Sequence, residues 1–149
     1  MRLLNFHLSS STSLESNGLS WDIHNCAIFR GLSLIPQENA AVMRWRNPSA
    51  SNSWGCVDNG FAGMQLYFKD LLFLNIGQRD DEMPMKEDWC VSDVLQVDPK
   101  STNAEPYLRQ VLTMTDSFRL LFLFQSARAI EIESKTAELQ AIPSGSPIP

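Results

Sequence analysis

Between Ala41 and Arg46 the side chains alternate, with Ala41, Met43 and Trp45 on one side and Val42, Arg44 and Arg46 on the other. A period of two with one wet face predicts an antiparallel strand, and Asn47-Pro48 stops it. Leu3 to Leu8 alternates loosely and reads as a first strand. Leu19 to Ile35 puts Trp21 and Ile23 on one face and continues in β-type residues, with Gly31 as a candidate bulge and Pro36 as the end. Met64 to Ile76 is the most apolar block. Its aromatic content favours strand over helix, either as one long strand kinked at Lys69-Asp70 or as two strands meeting there. Trp89 to Val97 is the next strand, with Cys90 and Ser92 opposite Val91, Asp93, Leu95 and Val97. Phe118 to Phe124 is apolar on both faces, which predicts a central strand, and Gln125 to Arg128 turns it into a partner, Ala129 to Glu133.

The segments between these runs are polar. Ser9 to Gly18 ends in Asn17-Gly18, a dipeptide that accepts positive φ in a tight turn. Ser49 to Gly63 is the longest loop, rich in Ser, Asn and Gly. Tyr107 to Thr115 reads as a short helix opened by Thr102-x-x-Glu105 with Pro106 in its first turn, or else as another strand. Residues 143–149 cannot bury enough to order themselves and are expected to form a flexible tail. The prediction is a mainly β chain: one antiparallel domain over 1–142, a β-sandwich or flattened barrel of about seven to nine strands, with at most one short helix.

Composition narrows the function classes. A chain of 149 residues, 44% hydrophobic and 19% charged, suffices for one core. Its net charge of −5 and scattered cations argue against nucleic acid, which requires clustered positive charge. Arg44 and Arg46 flank Trp45, and a solvated strand face accounts for them better than an anion site. No run reaches the roughly 20 apolar residues that cross a bilayer, so no membrane association is expected. Three cysteines, none in a Cys-x-x-Cys pair, and an apolar N-terminal run broken early by Asn5 and His7 point to free thiols and a cytoplasmic protein.

Candidate chemistry is sparse. The stretch Gly77 to Cys90 carries Asp80, Asp81, Glu82, Glu87 and Asp88, but it lacks the central glycine of a calcium loop and sets Pro84 and Lys86 where ligands are needed. It reads as the charged tip of a loop that discourages edge pairing. His7 and His24 have no ligand spacing, although His24 and Cys26 would share a face of one strand, so neither a metal nor another cofactor is expected. Cys56 lies in Trp54-Gly55-Cys56-Val57-Asp58-Asn59-Gly60 without a matching histidine motif.

Four tryptophans are many for this length. Trp21, Trp45 and Trp89 fall in expected strands and suit the core, whereas Trp54 sits on a polar loop with Phe61 nearby. The sequence therefore favours a non-catalytic binding protein that contacts another protein through Trp54, Asp58, Asn59 and Phe61 of the Ser49 to Gly63 loop, with the Gly77 to Asp88 loop as a second candidate surface. An acidic binder suits a basic partner, in the manner of an inhibitor or immunity protein, and a homodimer through an edge strand is a further arrangement. The alternative is an enzyme whose pocket gathers His24, Cys56 and a carboxylate of the acidic loop.

Overall fold

Two long strands carry the architecture of the computed structural model, which describes residues 1–48, 56, 59–100 and 117–146. β7 (Phe61–Ile76) and β10 (Ala129–Pro143) pair antiparallel along nearly their whole lengths, from Ile130 opposite Ile76 to Pro143 opposite Phe61. The register slips between Glu133 and Ser134, opposite Phe73 and Leu71, and Asp70 adopts a φ of 57°. An irregularity of this kind bends a strand pair and increases its twist. Here it divides the sheet into two facing halves.

On one side of the bend β6 (Ala40–Arg46) pairs with β7, and β5 (Ile28–Ile35) pairs with β6. On the other side β9 (Arg119–Phe124) pairs with β10, and β8 (Val91–Val97) pairs with β9. The sheet order is thus β5-β6-β7-β10-β9-β8, antiparallel throughout and curled into a half-barrel whose two edges are β5 and β8. Aromatic rings join the halves through the core. Phe29 meets Trp45 at 5.2 Å and Phe124 at 4.9 Å, and Trp45 meets Phe122 at 5.9 Å. Burying one large apolar side chain contributes about 1.5–3 kcal/mol, so this stack is a main source of stability.

A smaller sheet closes the core. β2 (His7–Leu8), β3 (Ser13–Ser16) and β4 (Leu19–Asp22) form an antiparallel meander that buries Leu14 and Trp21. Asn17 and Gly18 have φ values of 51° and 78°, the two successive positive values of the expected tight turn. The meander is tied to β8 where the Val94 N–H donates to the Ser11 carbonyl at 2.6 Å.

β1 (Arg2–Leu3) runs parallel to β10 and is followed by a side-chain imitation of strand pairing. The Asn5 carboxamide donates to the Leu139 carbonyl at 2.8 Å and accepts from the Leu139 N–H at 2.9 Å. The chain can therefore leave the sheet at Asn5 without stranding the backbone groups of Leu139.

The mainly β, antiparallel reading holds, with ten strands among the described residues and two short 3-10 turns, η1 (Pro36–Glu38) and η2 (Met85–Trp89). Several boundaries differ from the pattern. Leu3 to Leu8 is not one strand, because its two ends pair in different sheets. β3 lies inside the polar run Ser9 to Gly18, where Leu14 is buried and the buried Ser16 hydroxyl donates to the Asn5 carbonyl at 2.8 Å. β7 starts at Phe61, inside the expected Ser49 to Gly63 loop, and is one kinked strand. β10 runs far past Glu133, and Ser144 beyond it donates to the Gly60 carbonyl at 2.8 Å.

In β8 a bulge between Val91 and Asp93 reverses the faces predicted for the rest of the strand, so that Val94 joins the main core while Leu95 and Val97 pack with Leu121 and Leu123 behind the sheet. That second cluster explains why β9 is apolar on both faces. The segment Tyr107 to Thr115 lies outside the described residues. No helix among the described residues is long and apolar enough to cross a membrane.

Candidate functional site

The acidic stretch that follows β7 is ordered by one arginine. Arg79 directs its Nε at both oxygens of Asp88, at 3.0 and 3.1 Å, and its Nη2 at the carbonyls of Met83 and Pro84, at 2.7 and 3.1 Å. A planar guanidinium suits such a set of acceptors. Asp80 folds the tip further, accepting the Glu82 N–H at 2.9 Å while its own N–H donates to the Ser126 carbonyl at 2.8 Å.

Partial burial pushes the Asp88 carboxyl upward. The nearby Ser126 hydroxyl, the hydrogen bonds from Arg79 and the charges of Arg79 and Arg128 outweigh that and hold it below the ordinary aspartate range. The remaining carboxylates do not converge, and among the described residues no group of three or more His, Cys, Asp and Glu is placed to hold a metal. The arginine clamp brings the chain round so that η2 lies beside edge strand β5.

Between η2 and β5 is a cleft of about 410 Å³. Phe29, Leu32 and Ile130 form its base, and Ile76 and Trp89 its walls, 49% and 53% exposed. The exposure of Trp89 corrects the expectation that it is a core residue of a strand. It closes a 3-10 turn, and β8 begins only at Val91.

Arg30, Arg128 and Asp88 supply the cleft's charge. Arg30 reaches it because β5 bulges between Phe29 and Gly31. In a regular strand Phe29 and Arg30 would face opposite ways, whereas the extra residue lets both line the same cleft. Gly31 carries a φ of 136°, a conformation that a side chain would strain.

Of the binding residues expected from the sequence, the two that are described, Asn59 and Phe61, lie outside this cleft. Phe61 opens β7, half-buried, with its ring 6.0 Å from that of Trp21. The Asn59 side chain accepts from the Phe61 N–H at 3.1 Å and from Asn47 Nδ2 at 3.0 Å. Trp54 and Asp58 lie outside the described residues. No family model matches the chain, and no similarity to a curated protein or a solved structure was found.

The cysteines do not follow the expectation of three free thiols. Cys26 and Cys56 form a disulfide with Cα atoms 5.5 Å apart, and Cys90 is the free one. Cys56 therefore has no thiol for a histidine to activate. His24 and Cys26 also share no strand, since both belong to the turn that follows β4.

His24 lies instead against Cys90, with Nδ1 3.3 Å from the sulfur and 2.9 Å from the Val91 carbonyl. A carbonyl only accepts, so Nδ1 carries the proton and is not a base toward Cys90. The Cys90 thiol donates to the His24 carbonyl at 3.3 Å. Burial, and then the negative charges of Glu87 and Asp22, push its pKa up. A nucleophilic cysteine needs the opposite shift, so this contact fastens the turn to β8.

The signals that point to the cleft were present in the sequence without being decisive. Gly31 was readable as a bulge, and Trp89 adjoined an acidic loop. That the bulge and the tryptophan face each other depends on the curl of the sheet, which no local pattern encodes.

Proposed function

We propose that this protein is a non-catalytic binding protein whose recognition site is the cleft between β5 and η2, and that its partner is another protein. The observation that carries this reading is the position of Trp89, a large aromatic left half in water on the wall of a concave site instead of in the core. Such tryptophans are the common anchors of protein interfaces, because one ring covers much area with little conformational freedom to lose. The wall that holds Trp89 is fixed in advance by Arg79, which lowers the ordering cost of binding. The Trp54 loop remains a second surface for the same role, without its Phe61, whose ring is engaged with Trp21.

The compartment follows the cysteines. A cytoplasmic location rested on free thiols, whereas a Cys26–Cys56 bond persists where the surroundings are oxidising. We propose that the protein works in such a setting, with the disulfide as the observation that supports it.

The test is a photoactivatable residue introduced at position 76, on the cleft wall, which leaves Trp89 in place, with a control at the exposed Lys135 on β10. A discrete crosslinked protein from position 76 and none from position 135 supports the reading. Equal yields at the two positions, or no adduct at either, would refute it.

A further inference from the structure

We propose that the occupant of the cleft is an extended peptide segment of another protein, carrying a carboxylate next to an apolar side chain, that adds as a strand to the outer edge of β5. The proposal rests on the cleft being the recognition site and names what it recognises. β5 ends the sheet order, and among the described residues its backbone pairs with β6 alone. Such an edge presents a row of donors and acceptors at the spacing of an incoming strand. The cleft opens along that edge at Phe29 to Leu32, so a chain paired with β5 enters it directly. Alternate side chains of an added strand point to one face. One apolar residue then lies against Phe29, Ile130 and Trp89, and its neighbours face the rim.

The rim sets the charge of the ligand. Arg30 is exposed and, among the described residues, forms no ion pair with a carboxylate. Arg128 acts on Asp88, yet Asp88 already accepts two hydrogen bonds from Arg79. Two guanidinium groups thus border the cleft beside one carboxylate that is committed elsewhere. An incoming carboxylate meets planar donor forks that suit it, while a basic segment meets like charge. The overall charge of −5 points instead to a basic partner. The local arginines reverse that preference here, and the long-range field gives an acidic ligand no steering, so contact at the rim has to supply the selectivity.

A phage-displayed random peptide library selected on the intact, oxidised protein tests this. Selected peptides are expected to pair Asp or Glu with an apolar residue and to lose at least about tenfold in affinity for Arg30→Glu and for Arg128→Glu. On binding, the Ile28–Ile35 amides should gain protection from hydrogen exchange. Arg30 is exposed, and circular dichroism verifies that its variant keeps the fold.

Basic peptides, affinities indifferent to both charge reversals, or protection that bypasses β5 would overturn the proposal. So would the absence of any enriched peptide, or a doubled solution mass with β5 protected by a second copy of the chain. Trp89→Ala separates the two levels. If selected peptides or a small carboxylate such as phenylpropionate bind in a Trp89-dependent way without β5 protection, the cleft stands as the site and strand addition fails. If nothing depends on Trp89, the reading of the cleft as the site fails as well.

Discussion

Trp45 on β6 and Phe122 on β9 meet across the core with ring centroids 5.9 Å apart, inclined at 41°, and both side chains are fully buried. This contact joins the two halves of the curled sheet. Phe122→Ala should lower the unfolding free energy by about 3–5 kcal/mol, because the relaxed core leaves part of the ring volume empty. Trp45→Phe should be much milder than Trp45→Ala, since the indole Nε1 is buried without a hydrogen-bond partner among the described residues and its loss leaves no acceptor there stranded. Urea unfolding of the three variants measures both effects.

Cys26–Cys56 spans 30 residues. Closing a loop of that length restricts the unfolded chain and stabilises the fold by about 3–4 kcal/mol in the chain-entropy account. Cys26→Ser with Cys56→Ser should lower the urea midpoint accordingly. Mass spectrometry after maleimide treatment should find one label per denatured, unreduced chain and three after reduction. Three labels without reduction would mean that the bond is absent.

The remaining thiol, Cys90, should alkylate slowly at neutral pH. Burial and two nearby carboxylates raise its pKa, so the rate of reaction with iodoacetamide should rise with pH about a midpoint above the ordinary thiol value of about 8.5. Glu87→Gln removes one of those charges and should shift the midpoint downward. An unshifted wild-type midpoint would contradict the packing around His24.

Acid should loosen the η2 turn. The Asp88 carboxyl is held below its ordinary range in the folded chain, so its contribution is fully present above the unfolded aspartate value of about 3.9 and is lost as pH falls through the lower folded value. Arg79→Ala removes the clamp and should erase most of this pH dependence. Trp89 fluorescence quenching by acrylamide follows the turn, with Trp54→Phe as background, and quenching should increase in Arg79→Ala at neutral pH.

The alternation of side chains was legible wherever a strand has one wet face, as in β6, and wherever both faces are apolar, as in β9. It failed where pairing depends on distant residues. β3 is a polar run whose one large apolar side chain, Leu14, is recruited by the core. The faces of β8 reversed because a bulge inserts one residue, and no composition signal marks Ser92 as that site. Cysteine parity suggested reduced thiols, yet an odd count permits one bond and one free thiol. The candidate site was harder to read, because its parts come from β5, the end of β7, η2 and the β9–β10 turn, and only the curl of the sheet brings them together.

That curl has a consequence for how the chain acquires its structure. β7 and β10 each belong to both halves and lie far apart in the chain, so neither half is a self-sufficient piece. Contacts between residues distant in sequence are slow to form, and here the same pairing event must establish both layers. Assembly should therefore be a single late step with no stable half-molecule before it, and a cut anywhere in the β7–β10 ladder should abolish folding of the whole.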